Sequence, residues 1–368
     1  MANQSPIIVT VNPGCQPHFS DHLAPLSAVM DIPYVVTNEA FALYVEELYP
    51  GLKTIVIPWA DFTMDFLFEN FDMIIGSEPW ERKRFYTTFE PLEEQYNKQF
   101  RNVFCPHGFS DKIFWFKEGS KEDILLYYGQ NMLDIYEETD LKDCCNTLVR
   151  VGNYRYQYYR LNKEKQDQLT QERVFNQFKR QQKTILYAPT WNDAEKNTSM
   201  FDSEPILQNL PDNYNLIVKL HPAVKSIEEV SLEKFFNNYT DKGNIIFLKN
   251  WQMIYPMLNK VDIYIGDMSS IGYDFLAFNR PMFFLNQWSR DHLTDRNAYL
   301  FSCGHIVDPK DYAHIYRIIE EEAPRDHERY THARKEMFYY TFGEDVPFAT
   351  IKEEITKAYF SPKKWEYS

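Results

Sequence analysis

The chain has 368 residues, a formal net charge of −14 and no dense run of Lys or Arg, which excludes a general attraction for nucleic acid and leaves any anionic ligand dependent on a local site. Hydrophobic residues make up 44% and aromatic residues 17%, with only 12 glycines and no low-complexity tract, so a disordered or fibrous chain is excluded as well. The length exceeds the range over which one hydrophobic core keeps growing, and two domains are expected.

Short β-rich runs that end in Gly, Pro, Asn or Asp recur along the first half, at residues 7–11, 34–37, 54–57, 73–75, 103–105, 125–128 and 148–151. Gaps such as 22–30 and 39–48 are long enough for a helix, so the pattern predicts β-α repeats feeding a largely parallel sheet. The polar, helix-forming stretch 161–182 reads as the domain connection. A second series follows at 184–188, 216–220, 245–248, 263–265, 282–285 and 305–307, with helical spacers at 227–237 and 252–258. The tail, 312–359, reads as helices with charged outer faces that pack back across both domains. The expected division is an N-terminal domain over 1–165, a second over 166–340 and a helical tail over 341–368.

Cys15, Cys105, Cys144, Cys145 and Cys303 form no CxxC pair, which argues against a disulfide framework and a cysteine-based zinc site and for a reducing, cytoplasmic compartment. Residues 1–11 lack a basic region followed by a long apolar one, and no apolar run reaches the length of a membrane span. Any membrane contact is expected to be peripheral.

Open parallel sheets bind ligands beyond the carboxyl ends of their strands, so polar residues at strand exits are the candidates. Gly266-Asp267-Met268-Ser269-Ser270 follows one apolar strand and precedes a helical run. Free N–H groups and the positive helix end suit a phosphate there, with the serine hydroxyls as further donors. Asp274, about one turn on, would face the same cleft and accept hydrogen bonds from polyol hydroxyls. An ordinary cap by Asp267 or Ser269 fits the same pattern, and both readings stay open.

Lys219-Leu220-His221-Pro222 ends a strand at a proline, placing His221 where it can donate to phosphate or protonate a leaving group; the plainer role is a turn histidine, and for Lys219 a solvated rim charge. Cys105-Pro106-His107-Gly108 brings His107 to another strand end, followed by a glycine that permits a sharp turn, though His-Gly is also common in turns. Thr190 and Asn192 leave the strand at 184–188 and can bond a donor phosphate or base. Asn12, Gly14 and His18 occupy the first strand exit, where an acceptor would dock. His18 and His22 share a helical face without a third ligand, so no metal site is expected.

Together His107-Gly108, Ala188-Pro189-Thr190-Trp191, His221-Pro222, Asp267-Met268-Ser269-Ser270 with Asp274-Phe275, and Arg280-Pro281 resemble the CDP-glycerol glycerophosphotransferase family of teichoic-acid primases and polymerases, in matching order from about Val103 to Val307. The resemblance implies a GT-B fold, two Rossmann-like α/β domains facing a cleft, with the CDP-linked donor held mainly by the second. It gives His107 and His221 the places of the family's two important histidines and the Ser269-Ser270 turn that of its donor-phosphate loop. The implied reaction is attack by an acceptor hydroxyl on the β-phosphorus of CDP-glycerol, with CMP leaving. His107 would be the base, and His221, Ser269 and Ser270 would stabilise phosphate charge. No metal or other cofactor is called for, and the acceptor is a polyol or glycan, lipid-linked in some members.

The chain departs from the family at Phe109-Ser110-Asp111-Lys112, where Thr-Pro-Leu-Lys is common, and at Asn192, where an arginine usually supplies a bidentate phosphate clamp. A GT-B nucleotide-sugar glycosyltransferase, a UDP-sugar 2-epimerase and a non-catalytic nucleotide-binding protein are the alternatives. The epimerase fits less well, because its phosphate turn is followed by paired glutamates and this chain has a single Asp274.

Overall fold

Each apolar run picked out above becomes a β-strand. The computed structural model describes residues 5–78, 86–111, 122–139, 147–190, 204–220, 237–239, 242–248 and 251–362. In the first half the strands are β1 Ile8–Asn12, β2 Tyr34–Val36, β3 Thr54–Val56, β4 Met73–Gly76, β5 Arg101–Phe104, β6 Ile124–Tyr127 and β7 Thr147–Arg150. In the second half they are β8 Lys183–Ala188, β9 Tyr214–Val218, β10 Ile245–Phe247, β11 Ile263–Gly266, β12 Met282–Leu285 and β13 His305–Val307.

The strands form two sheets, with orders β3-β2-β1-β4-β5-β6-β7 and β10-β9-β8-β11-β12-β13. Every pairing is parallel. Central strands such as β1, β4, β9, β11 and β12 are buried along their whole length, as expected of parallel strands covered on both faces. That is why they read as continuous apolar runs rather than alternating ones. Each order reverses once, between β1 and β4 in the first sheet and between β8 and β11 in the second. Both are the dinucleotide-fold order, in which the crevice at the reversal is the natural ligand position.

The described helices are α1 Pro17–Met30, α2 Glu39–Leu48, α3 Met64–Asn70, α4 Tyr86–Tyr96, α5 Gln130–Glu138, α6 Tyr154–Leu161, α7 Lys163–Arg173, α8 Glu204–Gln208, α9 Ile254–Leu258, α10 Ser270–Phe275, α11 Ile315–Phe342 and α12 Phe348–Tyr359. Local chemistry sets several starts: Pro17 at the first turn of α1, where a missing N–H costs nothing, and Asn38 and Thr63 accepting from Phe41 N at 2.9 Å and Phe66 N at 3.2 Å as N-caps. Most of the spacer expected at 227–237 lies outside the described residues.

The chain divides into two units, Met1–Phe109 with Ile113–Asn162 and Tyr340–Ser368, and Ser110–Lys112 with Lys163–Tyr339. Residues 340–368 therefore group with the first unit, and 312–339 with the second. Gln99 Nε2 donates to Tyr359 O at 2.6 Å, and Arg150 donates to Phe342 O and Glu344 O at 3.0 and 2.7 Å. A core of Val9, Val11, Val35, Leu67, Phe68, Ile74 and Phe100 fills one side of the first sheet. Ile185, Leu216, Val218, Ile263, Phe283 and Ile315 belong to the corresponding core of the second unit.

Candidate active site

In the first unit, the turn after β1 and the loop after β5 bring together residues far apart in sequence. Cys15 N donates to Asn12 O at 3.0 Å, closing a tight turn in which Cys15 has a φ of 48°, and α1 begins at once. His18, in the first turn of α1, meets His107 from the β5 exit with ring centroids 5.7 Å apart, edge to face. Phe19 lies 5.1 Å from His107 and 4.2 Å from His18. Both histidines are half-buried. Two imidazoles and an apolar ring thus meet at the carboxyl ends of the strands.

Helix α1 is locked in place from α6. Arg155 forms a buried ion pair with Asp21 and donates through Nε to Asp21 O at 3.1 Å, while Tyr154 OH donates to His22 O at 3.0 Å. Cys105 Sγ lies 3.4 Å from the Tyr154 hydroxyl. Since that phenol proton is already directed at His22 O, the thiol is the donor; burial pushes it up to about 11, so it remains protonated. His22 is buried, and burial first, then the Arg155 charge, hold its imidazole well below the ordinary histidine value, so it is neutral.

In the second unit the reversal between β8 and β11 is closed by side chains. The Asp267 carboxylate accepts from Thr190 N at 3.0 and 3.2 Å and from Thr190 Oγ1 at 2.7 Å, tying the loop after β11 to the loop after β8. Both residues are 2% exposed. Ser269 is the N-cap of α10, its Oγ accepting from Ile271 N at 3.4 Å, and Ser270, half-buried, opens the helix. Asp274 is buried and accepts from Tyr255 OH at 2.7 Å. A Cβ at Gly272 would stand 2.7 Å from Leu300 Cδ2, so a larger residue there would require the Leu300 side chain or α10 to shift.

The three-residue stretch Ser110–Lys112 belongs to this second unit. Asp111 is buried, accepts a hydrogen bond from Tyr273 OH and another from Leu300 N at 3.2 Å. Burial pushes its carboxyl up to about 7, against the opposing effects of those two donors and the Arg296 charge. Arg280, of the Arg-Pro motif, donates to Asn259 O at 2.9 Å and to Val261 O, closing the carbonyl end of α9.

Of the expected site residues, the structure brings His107 and His18 together and sets Ser269 and Ser270 at a helix start. Asn12 is 1% exposed, and its side-chain amide lies within 3.2 Å of Gln16 O, Ser20 Oγ and Tyr34 OH; it braces the first turn from inside, whereas Gly14 beside it is exposed. Thr190 and Asp267 tie their two loops together, and Asp274 accepts from Tyr255 OH. Lys219 donates to Trp251 O at 3.0 Å, so it anchors backbone instead of standing as a rim charge. Asn192 and His221 lie outside the described residues. Among those described, no group of three or more His, Cys, Asp or Glu could hold a metal ion, and no helix is long and apolar enough to cross a membrane. Asp111, Tyr128, Tyr255 and Tyr273 were not picked out from the sequence; a buried tyrosine among 26 and a lone aspartate in a loop carry no local signal.

The family model described as CDP-glycerol:poly(glycerophosphate) glycerophosphotransferase matches residues 144–345, more than half of the chain. The chain belongs to this family. The matched segment contains Thr190, Asn192, His221 and the Ser269-Ser270 turn, and begins beyond His107. Among curated relatives, the teichoic acid glycerol-phosphate primase of Bacillus subtilis (strain 168) is 31% identical over 170 residues, 45% of this chain and 40% of the primase. The teichoic acid poly(ribitol-phosphate) polymerase of Bacillus spizizenii is 24% identical over 186 residues, 48% of this chain and 28% of the polymerase. The chain thus spans less than half the length of these curated relatives. A structure of the wall teichoic acid polymerase TagF, a histidine variant soaked with CDPG, superposes over 97% of this chain and 90% of that one, with TM-score 0.64 and 14% identity. Anabaena HepE in complex with UDP-glucose superposes over 96% of this chain and 99% of that one, with TM-score 0.53 and 11% identity. The fold is α/β of the GT-B class, and the likeness to TagF extends through the first hundred residues, where no sequence motif pointed to it.

Proposed function

We propose that the chain transfers a glycerol-phosphate or related polyol-phosphate group from a CDP-linked donor to an acceptor hydroxyl, with CMP leaving. The observation that carries this reading is the family match over the second unit, joined to a half-buried histidine pair at the strand ends of the first. Relatives named for glycerol-phosphate and for ribitol-phosphate transfer both support a polyol-phosphate cargo without choosing between the two.

In this mechanism the acceptor hydroxyl gives its proton to His107 as its oxygen attacks the β-phosphorus. A new phosphorus–oxygen bond forms there, and the bond to the bridging oxygen of CMP breaks. His18 stands beside the base on the acceptor side with Gly14, and Phe19 limits water. Ser269 and Ser270, at the start of α10, receive phosphate charge, with His221 and Asn192 in the same role. Charge stabilisation by amides, hydroxyls and imidazoles makes no call on a metal or a further cofactor. Transfer would take place in the cytoplasm, on a polyol or glycan acceptor that can be lipid-linked, with at most peripheral contact with the membrane and no nucleic-acid partner.

A thermal-shift panel tests the donor class, since a ligand that binds the folded state raises the melting temperature by mass action. CDP-glycerol or CDP-ribitol is expected to raise it, with CMP acting more weakly. A rise with UDP-N-acetylglucosamine and none with any cytidine ligand would move the protein to the nucleotide-sugar transferases.

A further inference from the structure

Tyr128 follows β6 and is 2% exposed, and its hydroxyl is engaged on both sides of His107. It donates to Pro106 O at 2.6 Å, the carbonyl before His107, and accepts from Gly108 N at 3.2 Å, the amide after it. A phenol has one proton. With that proton directed at Pro106, the 3.3 Å contact between Tyr128 Oη and His22 Nδ1 has the histidine as donor, which assigns neutral His22 the Nδ1–H tautomer. Gly108 has a φ of 117°, a conformation that side-chain-bearing residues rarely adopt and glycine adopts readily, so the turn that Tyr128 grips depends on glycine at this position.

We propose that Tyr128, backed by His22, is a positioning residue that fixes the backbone on either side of His107 and thereby sets the direction of its imidazole. The strap has three layers. The Arg155–Asp21 pair and the Tyr154 hydroxyl hold α1; α1 presents His22 to Tyr128; Tyr128 holds Pro106 and Gly108. All of these residues belong to the first unit. Tyr128 touches no reacting atom, so its effect is on turnover through the orientation of the base, where small misplacement is costly. This inference rests on the proposed role of His107 as general base.

The test is Tyr128→Phe, which keeps the ring and its edge-on packing against Phe342, 5.9 Å between centroids, and deletes only the hydroxyl. For CMP release from CDP-glycerol, kcat is expected to fall on the order of 10- to 100-fold, with the donor KM changed by less than about threefold, because the donor contacts lie elsewhere. Amide exchange is read on the same samples: the Gly108 N–H should exchange at least about tenfold faster in the variant, while amides within β5 and β6 keep their wild-type rates. His22→Asn, which retains a side-chain donor, should recover most of the wild-type kcat and exchange rate, whereas His22→Leu should resemble Tyr128→Phe. Unchanged kcat, or a loss confined to the folded fraction with normal kcat per folded molecule, overturns the strap. If the wild-type protein releases no CMP, the transferase reading fails, and the exchange rate of Gly108 still decides the strap: equal rates in wild type and Tyr128→Phe overturn it.

Discussion

The two sheets share one strand order, yet their reversal points are built in opposite ways. In the second unit the β8/β11 crevice is closed by residues that hold each other, Asp267 on Thr190 and Asp274 on Tyr255, and the family's sequence signature is concentrated there. In the first unit the exits of β1 and β5 present half-buried imidazoles, His18 and His107, and the buried polar groups, His22, Tyr128, Tyr154 and Arg155, stand behind them. The longest motif thus marks a turn whose carboxylates are spent on neighbouring loops, while the first unit's imidazoles come from the short His107-Gly108 pair and from His18, which has no motif of its own.

The sharpest way to break this contrast is at His107. His107→Ala should lower CMP release by about 10²- to 10⁴-fold, the usual worth of a general base, with the thermal shift by the donor preserved; turnover within tenfold of wild type would remove the base from the first unit. Asp267→Ala tests the opposite claim, that this carboxylate is scaffold. Loss of a buried acceptor for Thr190 N and Oγ1 should cost about 1–3 kcal/mol in denaturant unfolding, and Thr190→Val less, whereas a normal unfolding curve with weakened nucleotide binding would make Asp267 a ligand instead.

A third variant, Asp111→Asn, sharpens the comparison through pH. The folded-state value of about 7 lies above the ordinary 3.8, so between about pH 4 and 7 the folded protein keeps a proton that the unfolded chain releases. Stability from this group therefore falls as pH rises through that window. The wild type should lose several degrees of melting temperature relative to Asp111→Asn between pH 5 and pH 8; parallel curves would show that Asp111 is ionised throughout. The smallest effect is expected at Arg280→Ala, where removing the donor to Asn259 O and Val261 O should cost about 1 kcal/mol of stability with donor binding unchanged. A selective loss of donor binding would place Arg280 in the site.

The inner strands were legible because parallel strands buried on both faces are largely apolar, as in β12, which coincides with the run read at 282–285; β13, at 305–307, is mostly half-buried. Strand order and the site were legible only in part. A polar residue at a strand exit looks the same in sequence whether it bonds a ligand or the neighbouring loop: Asn12 and Thr190 read as ligand candidates and Asp267 as ligand or cap, and the structure shows the loop contacts of all three. His107 and His18 were each visible as exit residues, but their meeting depends on β1 and β5 flanking β4, which no local pattern encodes. Asp111 drew notice only as a departure from the family, and nothing in Phe109-Ser110-Asp111 announces a carboxylate buried under Tyr273.

The measurement that bears most directly on the whole account is the identity of the nucleotide released when the protein is incubated with a CDP-linked polyol and a polyol-phosphate acceptor. CMP and a product longer by one polyol-phosphate, formed one for one, are expected. Release of UDP or UMP from a UDP-sugar, with CDP-glycerol and CDP-ribitol both left intact, would contradict it.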